Sequence, residues 1–271
     1  MSSKTLIVYL LLFSPFMVKA QQHERSHSFV VGGGYASVLD TYLSPYSHTG
    51  PAAHLQRQTE REVSAFGQHN LTFQTLFDLD CAFTENPAGN VNEYAGGMRY
   101  ALAWLKPLKE FHFTNNCSVL AFAAGPQLST YFGCVYNERN GNNPAQAKAD
   151  LMLDLTAQAK WDFNLLKRRM TLAYQLYLPC IGLAFSENYG QSYYETFQLG
   201  NYDHNIVFAH PGNMPSMRHL LNLDIPVRKS SKTALRFSYA GYFMQSTFNR
   251  LRYHSYTHSF MIGITSRFLR L

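Results

Sequence analysis

The sequence has few acidic residues, few cysteines and, beyond its first twenty residues, no long apolar run. Its 271 residues include 17 Asp and Glu against 23 Lys and Arg, for a net charge of +6. A transmembrane helix needs ~20 consecutive apolar residues, so a helical membrane protein is excluded. The mild basic excess suits contact with an anionic lipid surface. Because no dense Lys/Arg patch is present, nucleic acid is not an expected partner.

The four cysteines, Cys81, Cys117, Cys134 and Cys180, are too few for a disulfide scaffold in a chain of this size. None of them form a CxxC pair, which argues against a metal or redox site. We interpret them as small apolar residues on strands.

Two short motifs carry no chemistry in their context. His23–His27 matches the HExxH pattern of zinc proteases but immediately precedes a β run, whereas that chemistry needs a helix. Gly32–Gly34 lacks the third glycine of a dinucleotide fingerprint. Its small residues are better explained by steric crowding in the first barrel strand, which they relieve. We therefore expect no metal and no cofactor.

The first twenty residues have the layout of a secretory signal peptide. Lys4 supplies a positive charge, Leu6–Val18 is mostly apolar, and Val18–Ala20 offers a cleavage site. No cysteine follows the expected cut, so a lipoprotein is not indicated. We predict a signal peptide at residues 1–20 and one mature domain at 21–271.

The chain is rich in aromatic residues, although its mean hydropathy is slightly negative. Phe, Tyr and Trp make up 15% of the chain, yet its mean hydropathy is −0.21. A transmembrane barrel predicts this combination, because each strand alternates lipid-facing and lumen-facing residues. Tyr and Trp are also favoured at membrane interfaces.

The segment 149–165 shows the clearest alternation. Every odd position is apolar, and every even position except Met152 is polar. Individual residues here favour a helix, but a helix would scatter the polar side chains around its surface. A period of two instead separates the two sets on the faces of a strand.

Ten segments show such a pattern, which predicts an all-β, antiparallel, up-and-down transmembrane β-barrel. The second is weakly patterned. The predicted strands are 28–39, 52–63, 69–83, 92–105, 117–136, 148–164, 171–183, 217–227, 232–245 and 256–269. The outer loops are then 40–51, 84–91, 137–147, 184–216 and 246–255, with a long inner turn at 106–116. Twelve strands is the alternative, with Glu195–Leu199 and Ile206–Ala209 as an extra hairpin.

Four polar segments, Asp40–Pro45, Arg139–Pro144, Tyr189–Glu195 and Tyr253–Phe260, resemble those of an uncharacterised family of Bacteroidota outer-membrane barrels. They keep their order along nearly the whole mature chain. The resemblance implies export and a barrel, and it implies no activity. The terminal Leu271 departs from the terminal aromatic residue common in outer-membrane barrels.

The candidate catalytic residues are Asp40, Ser192, Glu195, His254 and His258, which the predicted topology places near the outer rim. A histidine there needs a nucleophile and an orienting acid within hydrogen-bond reach. Such a group would make the barrel a lipid or lipopolysaccharide hydrolase. The competing interpretation is structural, since Asp and Asn are turn formers and loop tyrosines suit an interface.

We therefore predict a monomer in the cell outer membrane with a structural, binding or narrow-channel role. Its expected partners are outer-membrane lipid, lipopolysaccharide and the barrel-assembly machinery. Two alternatives stay open, the lipid hydrolase and a soluble secreted β-barrel that binds an apolar ligand.

Overall fold

The computed structural model describes residues 24–65, 68–113, 118–141, 143–166, 168–228 and 232–269. The predicted signal peptide, His23, Cys117 and Leu271 lie outside these residues. The strands are β1 (Glu24–Asp40), β2 (His48–Ala65), β3 (Gln68–Glu85), β4 (Asn92–Phe113), β5 (Ser118–Asn137), β6 (Ala145–Leu165), β7 (Arg168–Phe185), β8 (Ile206–Ala209), β9 (Ser216–Pro226), β10 (Thr233–Phe248) and β11 (Leu251–Leu269).

Ten long antiparallel strands close into a barrel, as the alternation predicted. Each strand from β1 to β7 pairs with the next, β7 pairs with β9, and β11 returns to β1. The register partners can be followed from strand to strand once around the barrel, beginning at Ala147 of β6. The path arrives back on β6 at Ala159, so the strands are staggered by 12 residues over one circuit. Stagger of this kind is what tilts the strands of a closed barrel.

The twelve-strand alternative is wrong. β8 does form, but it pairs with Gly182–Phe185 of β7. Its predicted partner instead forms a short π-helical turn at Tyr194–Gln198. β9 pairs with β7 only along Thr171–Tyr177. The part of β7 beyond Tyr177 would otherwise expose unpaired backbone N–H and C=O groups on this edge. β8 pairs with some of these groups.

Most of the predicted connections are shorter in the structure, because the strands extend further, and two of them differ most clearly. β4 continues to Phe113 through a bulge between Pro107 and Lys109, so most of the predicted inner turn is strand. β10 and β11 are joined by Asn249 and Arg250 alone, where a loop of ten residues was expected. Both residues have positive φ, 50° and 65°, as in a tight hairpin turn.

The two faces of the wall have opposite polarity. On β6, the outward Leu151, Leu153 and Leu155 are 48%, 45% and 50% exposed, whereas the inward Asp154 and Thr156 are 5% and 0% exposed. The same alternation recurs on the other long strands. The fold is therefore apolar outside and largely polar inside.

Loop end here means the end of the barrel where β1 finishes, and turn end means the opposite one, where β1 begins. Aromatic pairs lie on the outer wall toward both ends. Phe73 packs against Trp104 toward the turn end at 5.3 Å between ring centroids, and Phe83 packs against Tyr94 toward the loop end at 5.9 Å. Aromatic belts of this kind are typical of membrane interfaces.

Arg250→Gly is expected to stabilise the protein by about 0.5–1 kcal/mol, since a left-handed backbone strains any residue with a Cβ. Thermal unfolding followed by circular dichroism measures the change. The matched control is Arg252→Gly, two residues later in β11, where glycine weakens a strand and lowers the midpoint. A lower midpoint for Arg250→Gly would contradict the turn geometry.

Candidate functional site

Ion pairs line the lumen, and one of them ties distant strands together. Asp224 accepts two hydrogen bonds from Arg236, at 2.6 and 2.8 Å. Farther toward the loop end, Arg218 of β9 pairs with Asp78 of β3. Buried charges are costly unless they are paired, so each of these partners holds the other in place.

A hydrogen-bonded group of amides lies nearer the turn end. Glu60 accepts hydrogen bonds from Gln74 at 2.9 Å and from Gln158 at 3.3 Å. Gln58 of β2 donates to Gln175 of β7, which lies across the barrel, at 3.2 Å. These contacts fill the lumen with side chains and satisfy their polar atoms.

An apolar layer lies among these polar groups. It is formed by the buried side chains of Val30, Leu76, Ala101, Tyr177, Leu220 and Met261. Lumen side chains border one cavity of about 50 Å³ beside Asp78 and Arg218, and another of about 30 Å³ beside Lys148 and Asp150. Each is large enough for only a few water molecules. The described side chains thus occlude the lumen.

At the loop end, Lys148 is held by Asp40 at 2.9 Å and lies 4.1 Å from the ring centroid of Tyr253. Gln146 donates to Glu187 at 3.0 Å. Burial raises the pKa of Glu187 above its ordinary range, against the opposing effect of this hydrogen bond. Asp40, one of the predicted site residues, therefore faces the lumen.

Ser192 and Glu195, two of the candidate site residues, lie in contact. The Glu195 carboxylate accepts hydrogen bonds from the Ser192 amide at 2.7 Å and hydroxyl at 3.1 Å. The Glu195 amide donates back to Ser192 Oγ at 3.3 Å. This reciprocal pattern is a capping box, and it begins the helical turn at Tyr194–Gln198.

Tyr42 ties the connection after β1 to this helical turn, because its hydroxyl donates to the Gln191 carbonyl at 2.7 Å. Burial, with smaller effects from the Glu187 and Asp40 carboxylates, raises the pKa of Tyr42 to about 12. The phenol therefore stays neutral and keeps its donor role at physiological pH.

The two candidate histidines lie on the outer face of β11. His258 Nδ1 is 2.5 Å from the Tyr239 hydroxyl. His254 Nε2 is 3.3 Å from Ser47 Oγ, a serine that sequence reasoning missed. Ser47 Oγ is also 3.1 Å from Ser37 Oγ. Among the ion pairs found in the described part of the chain, none joins either histidine to a carboxylate.

An open groove of about 890 Å³ lies between the connections that follow β1, β3 and β5. Its lining combines Tyr46, prolines and several asparagines. Beneath it the buried Glu93 accepts a hydrogen bond from Asn137 at 3.0 Å, and His48 Nδ1 lies 3.6 Å from the other oxygen of Glu93. The groove offers amide donors and acceptors beside apolar surface.

Within residues 24–269, apart from the gaps given above, no three His, Cys, Asp or Glu side chains are grouped to hold a metal ion. No helix in the same residues is long and apolar enough to cross a membrane.

Solved structures similar to the chain are outer-membrane barrels. The transport unit of the autotransporter AIDA-I from Escherichia coli has a TM-score of 0.51 and 8% identity, over 99% of this chain and 97% of that one. The outer membrane protease OmpT from Escherichia coli has a TM-score of 0.44 and 8% identity, over 94% and 99%. At such identity the first likeness shows the barrel fold alone.

No curated protein sequence matches the chain. A family model described as "Protein of unknown function (DUF3316)" matches residues 5–271, nearly the entire sequence. The chain belongs to this family.

Proposed function

We propose that the protein is an integral outer-membrane barrel with an occluded lumen, and that it acts as a structural or binding component at its loop end. The inverted polarity of the wall carries this proposal. A soluble binder of apolar ligands would turn its apolar face inward, whereas Leu151, Leu153 and Leu155 face outward here. Leaving such a surface in water is unfavourable, and lipid removes the cost.

The filled lumen argues for binding and against conduction. Arg218 with Asp78, and Gln58 with Gln175, reach across it from opposite strands. The groove of about 890 Å³ is instead open to the outside. Its amides and Tyr46 suit a polar ligand such as the sugars of lipopolysaccharide.

The proposed setting follows from the predicted export signal and the resemblance to Bacteroidota barrels. The turn end then faces the periplasm and the loop end faces outward, as in bacterial barrels with short periplasmic turns. Outer-membrane lipid, lipopolysaccharide and the barrel-assembly machinery are the proposed partners of a monomeric chain.

A second candidate function, a lipid hydrolase, is favoured by one contact. Ser47 Oγ lies 3.3 Å from His254 Nε2 on the outer wall, where a leaflet lipid has lateral access. A serine nucleophile with a histidine base is the first requirement of acyl transfer. The third member of a triad, an acid on the imidazole, is not found among the described ion pairs.

Leu155→Arg is expected to lower the yield of folded protein in the outer-membrane fraction. Leu155 lies midway along β6, and an arginine facing lipid at the midplane costs about 2–4 kcal/mol. The control is Leu166→Arg, because Leu166 is 81% exposed after the turn end of β6. Fractionation with boiled and unboiled gels gives the readout. Equal tolerance of both variants, with soluble protein, would overturn the membrane assignment.

The wild-type protein is expected to give no swelling of proteoliposomes in small sugars. Asp78→Ser with Arg218→Ser removes both members of a crossing pair without leaving an orphan charge, and should increase permeability. The control is Asp203→Ser with Arg252→Ser, at exposed loop-end positions. Rapid swelling with the wild-type protein would contradict an occluded lumen.

If the hydrolase candidate is correct, Ser47→Ala and His254→Gln each reduce ester hydrolysis in lipid–detergent micelles by more than about a hundredfold. Ser192→Ala is the control, since Ser192 bonds to Glu195 and caps the helical turn. Equal activity in Ser47→Ala and wild type, or no hydrolysis by any of them, would reject this candidate.

A further inference from the structure

The outer wall at the turn end of β1 and β2 carries three arginines. Arg25 and Arg61 are register partners, so they stand directly opposite each other on the outward face. Arg57 lies on the same face of β2, two rows nearer the loop end. Like charges in direct cross-strand register destabilise a sheet unless something compensates them.

Among the described residues, no acidic residue stands in register with any of the three arginines. The remaining register partners of the three arginines are all phenylalanines, namely Phe268, Phe73, Phe29 and Phe77. Among the ion pairs found in the part of the chain that the structure describes, none involves Arg25, Arg57 or Arg61. Glu60 alternates to the lumen face of β2, where Gln74 and Gln158 occupy it.

The position of the patch matches a lipid interface. The Arg61 guanidinium carbon lies 4.8 Å from the ring centroid of Phe73, and Phe73 packs against Trp104. Tryptophan is favoured at the level of lipid headgroups. The long arginine side chains can lie along the apolar wall while their charged ends reach the headgroup layer.

We propose that Arg25 and Arg61 together bind the phosphate group of a phospholipid in the leaflet at the turn end, with Arg57 as a third, deeper contact. This inference rests on the proposed membrane location. Guanidinium groups match phosphate oxygens in charge and in their forked hydrogen-bond geometry. A bound phosphate lies between the two positive charges and offsets their repulsion. The acyl chains then run along the outward phenylalanines.

The test uses the full-length protein purified in non-ionic detergent after it has passed the gel-shift assay. Dioleoylphosphatidylglycerol is titrated while native mass spectrometry counts the bound lipid. We expect Arg25→Gln with Arg61→Gln to weaken retention by about tenfold or more, because the loss of even one charge-assisted hydrogen bond has about that effect. Arg25→Lys with Arg61→Lys keeps the charge and should retain more lipid than the glutamine pair.

Three controls separate the sources of binding. Arg250→Gln with Arg252→Gln removes two loop-end arginines and should retain lipid as the wild type does. Dioleoylglycerol, which has the same chains without phosphate, should not be retained, and inorganic phosphate should not raise the unfolding midpoint. If the glutamine pair does not fold, Arg57→Gln and the lysine pair carry the comparison.

The proposal is overturned if the glutamine pair retains lipid as tightly as the wild type. It is also overturned if inorganic phosphate raises the unfolding midpoint of the protein, because the site would then bind free anion. Either result, in protein that still shifts on the gel, leaves the membrane location intact. Failure of the wild type to reach the outer membrane would instead reject the proposed function.

Discussion

The pairing of charges inside the barrel is the constraint on which the other features depend. A wall of ten strands directs every second side chain into a space that bulk water does not fill. An isolated carboxylate there would cost several kcal/mol, so Asp224 and Asp78 are each matched by an arginine. The arginine of the second pair comes from a distant strand. The contact between Arg218 and Asp78 therefore satisfies both charges and also braces the barrel across its width.

Because side chains fill the lumen, a ligand can reach only the surfaces of the barrel. A pore needs a continuous polar path, whereas here an apolar layer around Tyr177 and Leu220 interrupts the polar groups. What stays accessible is the loop-end groove and the outer wall. The wall is not uniform, because Ser47 with His254, His258, and the arginines of β1 and β2 interrupt a largely apolar surface. In the proposed membrane setting, polar groups that face lipid are costly, which makes these positions candidates for a functional role.

The sequence predicts the strands well because alternation is a local property. The ten barrel strands could be placed, including β2 with its weak pattern. The missed features depend on distant contacts. The pairing of β8 with β7 follows from where β9 leaves that edge, and the His254–Ser47 contact follows from the register of β1 with β11. Ser192 and Glu195 were both candidate site residues, and their contact is local, because the hydrogen bonds of a capping box explain it.

The weak pattern of β2 has a physical cause that also identifies where to look for chemistry. Its inward Gln56, Gln58 and Glu60 belong to the lumen network, so their polarity is what an occluded interior requires. Its outward Arg57 and Arg61 are charged residues on an outer face that is largely apolar, and they have no acidic register partner. The inward deviation is thus satisfied by hydrogen bonds within the protein, whereas the outward arginines have only phenylalanines and Arg25 as register partners. In the proposed membrane setting, a strand that departs from alternation on its outward side therefore points to a contact supplied by lipid.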